Sequence, residues 1–213
     1  MKKTAIILGA TGLTGSILLE KLLRDDTYDK IKLFSRSSVG ISSPKIEEYI
    51  INMFQLENHA ETFKADVVFC CIGTTKSKTP NKDVYKKIDY GIPVAAAKLA
   101  KQNEIKTFIV ISALGASESS SVFYNKTKGE MQRDVILQKI ENTYILQPSL
   151  ITGNRNEFRF GEKLAEAFMK VFGFLIPAKY KMIKAETIAE AMRILSKDGY
   201  SEKIITSEKI KKL

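Results

Sequence analysis

Ala5-Ile6-Ile7-Leu8-Gly9-Ala10-Thr11-Gly12-Leu13-Thr14-Gly15 joins an apolar run to three glycines spaced three residues apart. The run reads as a strand buried on both faces. Leu13, Ile17, Leu18 and Leu22 then recur at helical spacing. A glycine-rich turn between a strand and an amphipathic helix is the context that a dinucleotide-binding loop requires. Gly9 permits the tight turn, Gly12 lets backbone approach a pyrophosphate, and Gly15 lets helix pack close to strand. Thr11, Leu13 and Thr14 complete the turn, where unpaired N–H groups and the positive helix end favour phosphate. The spacing is G-x-x-G-x-x-G rather than G-x-G-x-x-G, and it still sets three glycines across one turn.

Outward from this loop, β-type runs alternate with helical ones, the pattern of an α/β fold built on a doubly wound parallel sheet. Strands are expected at Ala5–Leu8, Ile31–Ser35, Ile46–Ile51, Val67–Ile72, Thr107–Ser112 and Thr143–Pro148. Helical patterns run from about Lys82 to Gln102 and from about Ser120 to Lys139, with a short helix at Glu57–Phe63. After Pro148 the character changes, and five of the eleven phenylalanines fall between Phe158 and Phe174. A helix over Glu186–Ser196 and a strand near Ile204–Thr206 close the chain. The 213 residues suit one domain, with residues from about 149 onward forming a small cap over the open end of the sheet.

Composition narrows the function. The net charge of +10 invites anionic partners, but the lysines are dispersed and no zinc-finger or aromatic–basic pattern accompanies them, so nucleic acid is not the expected partner. No segment approaches 18 uninterrupted apolar residues, so no membrane span is expected. The two cysteines, Cys70 and Cys71, are adjacent in a strand and point to opposite faces. They read as reduced core residues of a cytoplasmic protein. The single histidine, His59, lacks partners for a metal site or a hydrolase triad. A monomer and a homodimer both fit these properties.

The nucleotide is read from the end of the second strand. An NAD-selective site places a carboxylate there for the ribose 2′-hydroxyl. This chain has none between Lys30 and Pro44, and offers Ser35 and Arg36 instead. A guanidinium suits a 2′-phosphate, so NADP(H) is favoured over NAD(H). Cys71, Ile72, Gly73 and Thr74 leave the fourth strand where the cofactor would lie, and Ser149 and Ile151 follow the sixth.

The reacting group is read from Ser112, Tyr124 and Lys128. Tyr124 and Lys128 share a helix face, so the ammonium can favour the phenolate and bring the tyrosine into acid–base range. Ser112 ends the fifth strand and can donate to a substrate oxygen. Lys128 would also hold the nicotinamide ribose. The expected chemistry is hydride transfer to or from a small carbonyl or alcohol, with Tyr124 as acid and base.

These residues resemble the short-chain dehydrogenase/reductase superfamily, and within it the atypical subgroup that includes the Tat-interacting protein. The resemblance rests on G-A-T-G-L-T-G at 9–15, C-C-I-G-T-T-K-S-K at 70–78, I-D-Y at 88–90, S-A-L-G-A at 112–116 and Y-N-K-T-K-G-E at 124–130. It implies that Ser112, Tyr124 and Lys128 are the catalytic triad. Asp89 falls where many relatives carry an asparagine that organises a proton-relay water, and the subgroup is similar in having aspartate. Gln147 stands where the family usually has an arginine. The subgroup also includes proteins that look like NADP(H)-dependent regulators, so an NADP(H)-sensing protein with little turnover is the alternative.

Overall fold

The computed structural model describes residues 2–153 and 180–213. Seven parallel strands form its main sheet: β1 Lys3–Leu8, β2 Tyr28–Ser35, β3 Ile46–Ile50, β4 Val67–Cys70, β5 Thr107–Ile111, β6 Asn142–Gln147 and β9 Ile204–Thr206. Their spatial order is β3-β2-β1-β4-β5-β6-β9. The order runs outward in one direction from β1 and in the other from β4. The crevice at the carboxyl ends of β1 and β4 is therefore the topological switch point, where open α/β sheets bind ligands. This is the Rossmann-type fold expected from the sequence.

Period-two alternation divides the strand side chains between two apolar layers. Ile7, Leu33, Phe69, Ile109 and Leu146 face α1 (Leu13–Leu23) and α5 (Ala185–Asp198). Ile6, Leu8, Phe34, Val68, Phe108, Val110 and Ile145 face the opposite layer, which includes α3 (Ile92–Gln102) and α4 (Phe123–Ile136). These strand residues are almost wholly buried, and each aliphatic one contributes about 2 kcal/mol of burial. The sheet is thus clamped on both sides, which holds its carboxyl edge rigid.

Three elements depart from expectation. The long helix over 82–102 is interrupted: α2 (Lys82–Lys86) passes through a π-type turn at Lys87–Gly91 before α3 begins. Pro93 supplies the reason, since it has no N–H and its ring crowds the carbonyl four residues back, that of Asp89. The short helix expected at Glu57–Phe63 is a pair of 3₁₀ turns over Met53–His59, kinked at Gln55 and capped by the Asn52 side chain. Finally, β7 (Ile151–Thr152) and β8 (Ile183–Lys184) form a separate two-stranded sheet, which no local pattern announces. A last helix, α6 (Ser207–Ile210), follows β9. The phenylalanine-rich stretch at 158–174, a part of the expected cap, lies outside the described residues.

Candidate functional site

The glycine loop has the geometry that its spacing implies. Gly9 turns with a φ of +86°, and its amide partner is Gly12, whose N–H donates to the Gly9 carbonyl at 3.0 Å. A Cβ at Gly15 would stand 2.1 Å from that same carbonyl, so only glycine lets α1 begin here. No side chain caps α1 at Gly12, and Thr11 and Gly12 are exposed. The first-turn N–H groups therefore face the crevice without a side-chain acceptor, as an anion site needs. Across the crevice the Cys71 carbonyl abuts Gly9, and Gly153 lies against the Leu13 side chain. The Ile151–Gly153 segment thus borders the loop, a proximity that sequence spacing does not show.

A buried ion pair stands behind the β4 exit. The Lys128 ammonium lies 2.9 Å from Asp89 Oδ1, with the two residues only 3% and 1% exposed. The Thr74 amide donates to Asp89 Oδ2 at 2.7 Å, while Oδ1 faces the Lys128 ammonium as an ion pair. Lys128 also donates to the Ile111 carbonyl at 3.4 Å. Burial alone would lower the lysine pKa, but the Asp89 charge, the Tyr124 phenol and the Asp89 hydrogen bond outweigh it and hold it up. Lys128 is thus a fixed cation at neutral pH. A Cβ at Gly73 would come to 3.6 Å from Asp89 and 4.0 Å from Lys128, which places the Gly73 backbone directly over the pair.

The end of α2 and the π-type turn are joined to α4 by more than this contact. Lys86 pairs with Glu130 at 2.6 Å, and the Tyr90 hydroxyl donates to Asp134 at 2.7 Å. Behind Lys128, α4 approaches the 117–118 backbone so closely that a Cβ at Gly129 would collide with it. Tyr124 lies one turn before Lys128 on the same face and is 39% exposed. It therefore borders solvent while its neighbour is sealed.

Ser112 continues the β5–β6 ladder, its N–H donating to the Leu146 carbonyl at 2.7 Å. Its Oγ accepts from Gln132 Nε2 at 2.6 Å, and Gln132 Oε1 accepts from Gln147 Nε2 at 3.1 Å. Gln132 lies one further turn along the face that carries Tyr124 and Lys128. That i+4 spacing is the sequence signal for Gln132, whereas the contact of Gln147 with it has no local signal.

The remaining expected contacts divide. Arg36 is exposed at the end of β2, and no carboxylate among the described residues pairs with it. Ser35 is buried and its hydroxyl donates to the Ser37 carbonyl at 2.6 Å, which shapes the turn. Glu48 accepts from the Ser38 hydroxyl and the Val39 amide, so the acid nearest this turn is already engaged. Ile72 packs on the α3 side of the sheet, while the Cys71 thiol faces Met192 on the other. Burial pushes the Cys70 thiol up to about 11. Ser149 donates to the Lys181 carbonyl at 2.5 Å and accepts from Ser207, so its hydroxyl ties the C-terminal segment down. Ile151 pairs with Ile183.

A fold with this crevice and glycine turn defines a nucleotide-binding protein of the Rossmann class. The chain belongs to the NAD(P)H-binding family, whose model matches residues 9–155. It is 34% identical over 157 residues to Protein FMP52-1, mitochondrial, of Scheffersomyces stipitis, covering 71% of this chain and 69% of that protein. It is 32% identical over 170 residues to Protein HTATIP2 of Rattus norvegicus, covering 78% and 70%. These relatives bear out the resemblance to the Tat-interacting subgroup. Among solved structures, the Bordetella bronchiseptica enzyme WbmG in complex with NAD superposes with a TM-score of 0.72 at 13% identity, covering 96% of this chain and 72% of that one. A Thermotoga maritima UDP-glucose 4-epimerase with UDP-glucose gives 0.72 at 15%, covering 95% and 75%. At that identity the likeness is one of fold. The cytoplasmic placement expected from the sequence is corrected by the FMP52 relatives, several of which are named as mitochondrial. Reduced cysteines had suggested cytosol, but they serve equally in any reducing compartment.

Proposed function

We propose that the chain is an NADP(H)-dependent oxidoreductase acting on a small carbonyl or alcohol, with Tyr124 as acid and base. The observation that carries this reading is the sealed Lys128–Asp89 pair beneath Gly73, one helical turn from Tyr124. A lysine buried there and kept charged has no role in packing that an apolar residue would not fill better. It has a role beside a phenol that must release and regain a proton.

The residues fit the cofactor. The uncapped start of α1 and the close approach at Gly12 and Gly15 suit a pyrophosphate, with Thr11, Leu13 and Thr14 lining the turn. Arg36 would meet the 2′-phosphate, and the engagement of Glu48 by Ser38 and Val39 supports NADP(H) over NAD(H). Gly73 and Thr74 would border the cofactor, with Cys71 and Ile72 behind them and Ser149 and Ile151 at the far rim. When bound, the reduced nicotinamide supplies a hydride. Ser112 then holds the substrate oxygen and Tyr124 moves its proton, while Lys128 supplies a steady positive charge beside both.

A second reading, an NADP(H)-sensing protein with little turnover, is favoured by one observation. Asp89 at 2.9 Å already matches the Lys128 charge, which weakens its pull on Tyr124. Calorimetric titration with NADPH and NADH, followed by a carbonyl panel read through NADPH absorbance, separates the two. Binding with turnover supports the enzyme. Tight binding with no turnover across aldehydes, ketones and quinones supports the sensor.

A further inference from the structure

Ser112 is buried, and its oxygen receives one hydrogen bond, from an amide that a second amide holds in place. We propose that Gln132 and Gln147 are positioning residues that fix the Ser112 hydroxyl as a hydrogen-bond donor toward the substrate oxygen. This rests on the oxidoreductase reading above, in which Ser112 meets that oxygen.

A serine hydroxyl has one hydrogen and two lone-pair directions. Gln132 Nε2 takes one lone pair at 2.6 Å, so the hydrogen must point elsewhere. Among the described residues nothing accepts that hydrogen. Gln147 Nε2 donates to Gln132 Oε1 at 3.1 Å and so keeps the Gln132 nitrogen turned toward the serine. If Gln132 alone turned over, its nitrogen would face the Gln147 nitrogen, donor against donor. Reversal therefore needs both amides to turn together.

The consequence is a choice of ligand chemistry. The hydrogen that Gln132 leaves free suits an acceptor, such as the oxygen of a ketone, aldehyde or alcohol. Neither amide titrates, so the serine keeps this polarity across the pH range in which a phenol exchanges protons. A carboxylate at position 132 would instead accept the serine hydrogen and withdraw it from the cleft.

The direction of the relay can be read without turnover. The chain has five glutamines. With 15N-glutamine labelling, Gln132→Met identifies the Gln132 side-chain amide by the resonance it removes. Ser112→Ala is expected to shift those amide protons upfield, and Gln147→Met to leave them nearly in place. The opposite pattern means that Gln132 donates to Gln147, and it overturns the proposal. With a carbonyl substrate, Gln132→Met and Gln132→Glu are each expected to lower kcat about tenfold or more, with NADPH affinity changed less than about twofold. Unchanged kcat in both also overturns it. Failure of the oxidoreductase reading leaves a different mark, no carbonyl turnover in the unaltered chain with the amide pattern still readable.

Discussion

The Gly9–Gly15 turn and the Ser112–Tyr124–Lys128 corner stand at the carboxyl edge of one sheet and keep their shapes by opposite means. The turn is defined by missing side chains: a Cβ at Gly15 would meet backbone 2.1 Å away, and no side chain caps the helix that follows. The corner is defined by polar groups that pair with one another around a buried lysine: Lys128 with Asp89, Asp89 with the Thr74 amide, Ser112 with Gln132 and Gln132 with Gln147. Backbone open to an anion suits the part of a dinucleotide that is the same in every turnover. A closed polar network suits the end where charge moves, since its dipoles are set before the reaction begins.

The contrast predicts that the corner tolerates loss of one partner least. Lys128→Met would strand the Asp89 carboxylate in the interior and is expected to cost about 4 kcal/mol in urea denaturation. Asp89→Asn in the Lys128→Met background should recover much of it, because the stranded charge is gone. Gly15→Ala comes next, at about 3 kcal/mol from overpacking, with NADPH binding lost in whatever fraction remains folded.

Arg36→Ser tests the edge of the turn that meets the adenosine end. It is expected to weaken NADPH about tenfold in calorimetry and leave NADH unchanged, because a planar charged fork contributes only where a phosphate is present. Equal loss for both nucleotides would move Arg36 from selectivity to general charge.

The smallest effects belong to pH. Lys128 has a raised pKa, so its stabilisation is complete below the unfolded lysine value of about 10.4 and is lost only as pH rises through the folded value above it. Thermal melts should therefore show no loss from this pair between about pH 7 and pH 9. Glu190 behaves in the opposite sense on the far face of the sheet, where Arg193 and Lys21 draw its pKa down from 4.5 to about 2. Its contribution is present above 4.5 and fades as pH falls toward 2. Solvent screening holds Glu190→Gln to about 0.5 kcal/mol at neutral pH.

The two regions were also unequally legible in the sequence. The glycine turn is local: strand, turn and helix lie within twenty residues, and period and glycine spacing were enough to read them. Tyr124 and Lys128 were legible for the same reason, being one turn apart on one helix. What could not be read depends on contacts far along the chain. The π-type turn needs Pro93 against the Asp89 carbonyl, and only its packing on α4 turns Asp89 into a partner for Lys128 rather than a surface acid. The Gln147–Gln132–Ser112 chain joins β6, α4 and β5. The hydrogen bonds of Ser149 to Lys181 and Ser207 reach more than thirty residues along the chain. The two-residue strands β7 and β8 are too short to carry a period at all.

Central to this account is that Tyr124 exchanges a proton beside a bound nicotinamide. Turnover and NADPH affinity measured on the same preparations of the unaltered chain and Tyr124→Phe test it most directly. The account predicts equal NADPH binding in the two, with carbonyl reduction lowered about 100-fold or more in the variant. Equal reduction rates with equal binding would contradict it.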